Sequence, residues 1–188
     1  MDILRALRGI SLTMASMALA LYACVCCVQS TIHGAVGYQN LNEVKSFLQK
    51  GVDANSQDGY GNTALTLAAQ NGNLAIAKLL LENHADPNLQ NQEGWYPLLY
   101  AAYYDNYAMA RILLKYGSNV NLQNRDGWSP LLYAVYYGRD AIALDLIKAG
   151  ARVNQTNNQG YNALYYAQQY GHKKVAAALR KRGAKMPY

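Results

Sequence analysis

The chain repeats itself every 33 residues. Gly61, Gly94, Gly127 and Gly160 form one series on that step. Gly51, Gly117, Gly150 and Gly183 form a second, with His84 filling its one gap, and Asn55, Asn88, Asn121 and Asn154 form a third. Three series locked to one interval describe a solenoid, in which each unit is a supersecondary element that cannot bury its apolar face without a neighbour.

The chemistry of one unit can be read from residues 58–90. Asp58-Gly59-Tyr60-Gly61 is turn chemistry, because glycine relieves backbone strain and aspartate can bond its own backbone. Thr63 is placed to cap a short helix running to Gln70. Asn71-Gly72-Asn73 interrupts it, and Leu74, Ile76, Ala77, Leu79, Leu80 and Leu81 then predict a second helix with a broad apolar face. His84 falls just past the end of that helix, where a left-handed backbone is favoured and sister units carry glycine.

The openings of the first helices are Thr63-Ala64-Leu65-Thr66, Tyr96-Pro97-Leu98-Leu99, Ser129-Pro130-Leu131-Leu132 and Asn162-Ala163-Leu164-Tyr165. With the interval of 33 residues, they resemble the T-P-L-H-x-A opening of ankyrin repeats, although the consensus histidine is missing from all four. The resemblance implies an all-α fold, an ankyrin-repeat α-solenoid of about five stacked helix-turn-helix units. These would be an N-terminal capping repeat at 31–57, repeats at 58–90, 91–123 and 124–156, and a C-terminal capping repeat at 157–188. Ile32-His33-Gly34-Ala35-Val36 aligns with Leu65 to Ala69, so the first unit is expected to keep its first helix despite Gly34 and Gly37.

Residues 1–30 read differently. Arg5 and Arg8 precede an uncharged stretch at 10–28, followed by small residues. That order predicts an export signal or an N-terminal anchor. Cys24, Cys26 and Cys27 all lie at the end of this stretch, so no disulfide can form within the repeats. Leu21-Tyr22-Ala23-Cys24 resembles a bacterial lipobox, which makes Cys24 the lipidation candidate. A cleaved soluble protein, a lipoprotein and a retained anchor are all compatible with the sequence. Each places the domain outside the cytosol, in the periplasm or at an envelope membrane.

The net charge is +6, and Lys173, Lys174, Arg180, Lys181, Arg182 and Lys185 crowd the last turns. A solvated cap with cations near a helix C-terminus accounts for them, and no nucleic-acid partner is expected. No metal site is expected, since the cysteines fit no paired C-x-x-C spacing. His33, His84 and His172 occupy unrelated positions, and neither a phosphate loop nor an H-E-x-x-H motif is present. The chain therefore reads as a non-enzyme with no cofactor.

Tyrosine is the residue that needs an explanation: the chain has 17 Tyr and one Phe. A phenol is useful where a ring is half wet, whereas phenylalanine serves packing alone. Tyr100, Tyr133 and Tyr166 stand where the ankyrin consensus carries leucine and are expected to pack. In ankyrin proteins the turn tips and the exposed side of the first helices bind partners. Carried over by position, the partner-binding residues are Tyr60, Trp95, Tyr103, Tyr104, Arg125, Trp128, Tyr136, Tyr137, Tyr161 and Tyr170. The reading is a monomeric interaction module that takes a protein partner on an aromatic concave face, in the manner of an inhibitor, an immunity factor or an accessory protein of an envelope enzyme. A second reading is a surface protein held on membrane or cell-wall glycan by its N-terminus and basic C-terminal cap.

Overall fold

The computed structural model describes residues 31–187. Among them, ten α-helices follow one another in five pairs. The first helices are α1 (Ile32–Gly37), α3 (Ala64–Gln70), α5 (Pro97–Tyr103), α7 (Pro130–Tyr136) and α9 (Ala163–Gln169). The second helices are α2 (Leu41–Gln49), α4 (Leu74–Glu82), α6 (Tyr107–Lys115), α8 (Asp140–Lys148) and α10 (Lys173–Lys181). The all-α solenoid that the ankyrin resemblance implied is the observed architecture, and the first unit does form both its helices.

Helices this short are marginal alone, so caps and stacking must hold them. The Thr63 hydroxyl accepts from the backbone N–H of Thr66 at 3.1 Å, and Ser129 and Asn162 cap α7 and α9 in the same way. The absent consensus histidine is replaced at α3 by a contact of 3.0 Å between the Thr63 and Thr66 hydroxyls. Tyr96, at the same position before α5, makes no side-chain cap; Pro97 follows it and has no N–H to satisfy. The Tyr96 ring is instead fully buried, with its hydroxyl donating to the Asn119 carbonyl at 2.9 Å. Asn40, Asn73 and Asn106 cap the second helices α2, α4 and α6. His84 adopts φ 64° past α4, the left-handed conformation that its place in the glycine series predicts.

The asparagine series clamps one unit to the next. Asn55, Asn88, Asn121 and Asn154 each accept, through Oδ1, from the backbone N–H of a residue 31 positions on: Asp86, Asn119, Arg152 and Lys185, at 2.6–2.8 Å. Nδ2 of Asn55, Asn88 and Asn154 donates to the carbonyl of His84, Gly117 and Gly183 respectively. Asp53 and Asp86 fold their own loops by accepting from the N–H of Asn55 and Asn88.

Neighbouring first helices pack more closely than neighbouring second helices at every junction, so the stack curves toward the first-helix row. In α4 the buried residues are Ile76, Ala77, Leu80 and Leu81. Leu74, expected on the apolar face, is 39% exposed because it sits at the first helical position, on the outer side.

Candidate interaction face

The face begins with the turns. Asn91 Oδ1 accepts from the N–H of Glu93 at 3.0 Å and of Trp95 at 2.8 Å, and Asn124 holds Asp126 and Trp128 in the same way at 3.1 and 2.8 Å. Gln90 Nε2 donates both to Gly94 O within its own turn and to Gln123 O in the next, at 2.8 and 2.9 Å. Each turn therefore rests on its successor. Gly94 has φ 78°, and a Cβ there would lie 2.8 Å from the Asn124 Cα. Left-handed backbone and close approach both require glycine.

Onto this scaffold the rings stack in two tiers. The inner tier runs Tyr100, Trp95, Tyr133, Trp128, Tyr166, with successive centroids 4.7, 5.3, 4.8 and 5.5 Å apart. The outer tier runs Tyr104, Tyr103, Tyr137, Tyr136, Tyr170 at 4.9, 5.1, 5.0 and 5.5 Å, every contact edge to face. Helical spacing joins the tiers: Tyr104, Tyr137 and Tyr170 each lie nearly parallel to the inner ring four residues earlier, at 6.2–6.3 Å. Offset stacks and edge contacts are the arrangements the aromatic quadrupole favours.

Hydrogen bonds tie the inner tier to the turns. Asn124 Nδ2 donates to the Tyr133 hydroxyl at 3.3 Å, and Asn157 Nδ2 to that of Tyr166 at 2.9 Å. One asparagine thus shapes the turn and fixes the phenol. Burial pushes the Tyr133 phenol up to about 12 against the partial relief of the Asn124 bond. Burial likewise raises Tyr100 and Tyr166, and raises the deeply enclosed Tyr96 well above the ordinary tyrosine range.

The ten residues assigned from the sequence do not share one environment. Tyr104 (53%), Tyr170 (49%), Tyr137 (40%) and Tyr136 (37%) are exposed. Tyr103, Trp95 and Trp128 are half-buried and pack on the core. The two indoles are not free-standing at the turn tips, because rings of the same and the next unit close over them. Tyr161 stacks on Tyr165 at 4.1 Å and forms the C-terminal end of the array. Tyr60 stands apart: its ring is 75% exposed and makes no ring contact among the described residues. It occupies the register of Glu93 and Asp126 rather than that of the tryptophans. Arg125 pairs with Glu93 across adjacent tips at 3.3 Å, with both side chains about two-thirds exposed at 66% and 68%. Such a pair fixes register and adds little stability.

The packing tyrosines Tyr133 and Tyr166 are buried as expected and Tyr100 is half-buried. They also carry the exposed rings, a role their leucine-like register did not reveal. The signal was the spacing of four between them and Tyr104, Tyr137 and Tyr170. All five first helices lack any charged residue. The aromatic face is therefore neutral, with ion pairs Arg125–Glu93 and Arg139–Asp105 only along its margins.

The histidines remain separate. His33 Nε2 donates to Ser56 O at 2.9 Å, and His172 Nδ1 lies 3.1 Å from Asp140 Oδ1. The segment expected to be an export signal or anchor, with the lipidation candidate Cys24, lies outside the described residues. No helix among the described residues is long and apolar enough to cross a membrane.

A family model described as ankyrin repeats, in three copies, matches residues 32–124, 68–157 and 117–187. No curated protein matches the chain.

Proposed function

Because the chain belongs to the ankyrin-repeat family, whose members are in general protein–protein interaction modules, we propose that its aromatic first-helix face binds a protein partner outside the cytosol. The observation that carries this reading is the exposed row Tyr104, Tyr137 and Tyr170, each ring backed by a parallel inner-tier ring. Exposed rings held in place lose little entropy on binding, and tyrosine and tryptophan dominate interface energetics. The neutral first helices favour an apolar or aromatic contact over an ionic one. The compartment follows from the export-type composition of residues 1–30, and mass spectrometry of the mature N-terminus distinguishes a cleaved, a Cys24-lipidated and a retained form.

The site is tested with Tyr104→Ala/Tyr137→Ala/Tyr170→Ala, which removes exposed rings and leaves the indoles in place. Crosslinking in native envelope extract should yield a partner with wild type and with Tyr38→Ala, an exposed tyrosine outside the array. The same partner should be lost with the triple variant. Equal recovery by the triple variant, with its helical content intact, rejects the proposal. Alanine at Trp95 or Trp128 is the poorer test, since it removes contacts between repeats and couples binding to folding.

A further inference from the structure

The outer row of second helices repeats a pattern of its own. Leu41, Leu74 and Tyr107 occupy the first position of α2, α4 and α6, one repeat apart, and all three are exposed, at 41%, 39% and 41%. Four residues later in each helix stands an exposed cation: Lys45, Lys78 and Arg111. Residues four apart share one helix face, so each of these helices shows the same apolar–cationic pair to the same side. In α6 the pair is in contact, with the Arg111 guanidinium carbon 5.9 Å from the Tyr107 ring centroid. Between α2 and α4 a shallow groove is lined by Leu41, Lys45, Lys78 and Leu79, with Glu82 also on its wall. Lys115, Lys148 and Lys181 continue the cation register one turn further along α6, α8 and α10.

The acids on this side are already engaged. Glu43 accepts from Asn40 Nδ2 at 3.2 Å, and Glu82 pairs with Lys78 at 3.8 Å. Asp145 accepts from the Tyr107 hydroxyl at 2.9 Å and pairs with Lys148, and Asp140 lies against His172. Charge is thus segregated: the first helices are uncharged, and the second helices carry most of the cations.

We propose that the outer face of α2, α4 and α6 docks on an anionic lipid bilayer, which would turn the aromatic face away from the membrane and toward its partner. Leu41, Leu74 and Tyr107 enter the interfacial layer, while Lys45, Lys78 and Arg111 lie at headgroup level. Apolar and cationic groups in one plane match that interface, which offers an apolar layer beneath a negative surface. A nucleic-acid backbone matches the cations and leaves Leu41 and Leu74 without a counterpart.

The test uses the full chain and compares variants that share residues 1–30. Flotation with phosphatidylglycerol–phosphatidylcholine vesicles should exceed flotation with phosphatidylcholine alone and should weaken as salt rises. Lys45→Gln/Lys78→Gln/Arg111→Gln should lower the anionic-vesicle partition on the order of a hundredfold, at about fivefold per cation. Neutralising Lys173, Lys174, Arg180, Lys181 and Arg182 instead should leave most of it. A triple variant that partitions like wild type overturns the proposal, as does loss of binding only on neutralising the C-terminal helix. Preferential binding of an oligonucleotide over anionic vesicles at equal salt overturns it too. A second readout is independent of any anchoring by residues 1–30. In Tyr107→Trp, brominated phosphatidylglycerol should quench the added indole, and quenching no greater than in wild type refutes the orientation.

Discussion

The Tyr133 ring lies between two indoles from successive units, 5.3 Å from Trp95 and 4.8 Å from Trp128. A side chain of one repeat is thereby shared by the tryptophan before it and the tryptophan of its own turn. Stability in a solenoid is the sum of unit and interface contributions, so such a shared ring acts on an interface as well as on its own unit.

Tyr133→Ala should cost about 3–4 kcal/mol, from lost ring burial and two lost stacking partners. Tyr133→Phe keeps the stack and loses only the bond from Asn124, and should cost about 1 kcal/mol. Urea denaturation followed by far-ultraviolet circular dichroism separates the two. Equal costs would show that the ring contributes nothing beyond its hydroxyl.

Asn88 Oδ1 is bonded to the N–H of Asn119 at 2.6 Å, and Nδ2 to Gly117 O at 3.4 Å, across one junction. Asn88→Ala leaves groups on the next repeat without their partner and should destabilise by about 1–3 kcal/mol. Hydrogen exchange should rise first at the Asn119 amide, whose N–H loses its acceptor, before it rises at the distal asparagine clamps. Uniform loss of protection along the chain would argue against a junction-local role.

His84 holds φ 64° where Gly51, Gly117, Gly150 and Gly183 hold 80–91°. His84→Gly should stabilise by about 1 kcal/mol through relief of the left-handed backbone. Gly94→Ala should do the reverse and cost about 2 kcal/mol or more, because a Cβ there meets the backbone of the next turn. Thermal melts of both variants check the paired signs.

Burial raises the Tyr133 phenol from the ordinary 10.0 to about 12. The folded state therefore keeps this proton where the unfolded chain releases it. The contribution is fully present below pH about 10, the ordinary tyrosine value, and is lost as pH climbs through the folded value. Stability should be flat across neutrality with respect to this group and fall above about pH 10. The phenolate absorbance should rise in two stages, with the buried tyrosines ionising last and together with loss of helix. A single early stage would contradict the burial of Tyr133 and Tyr96.

The period of 33 residues, the cap at Thr63, the left-handed His84 and the pairing of helices were legible in the residues themselves. Each follows from local backbone chemistry or from a register that recurs along the chain. The aromatic richness of the face was legible as well. The tiers were not: that Trp95 and Trp128 are half-buried depends on how far one repeat advances on the next and on which side each ring leans, whereas the register that sets Tyr60 apart was present in the sequence and went unread. The segregation of charge was hidden for a related reason. Read along the chain, the cations gather only near the end, whereas their order appears down columns that align only when helices stack. Sequence determined the repeating unit because its signals act over a few residues. Tertiary structure decided which rings touch, which stay wet and which face carries charge, because those are distances between residues about one repeat apart.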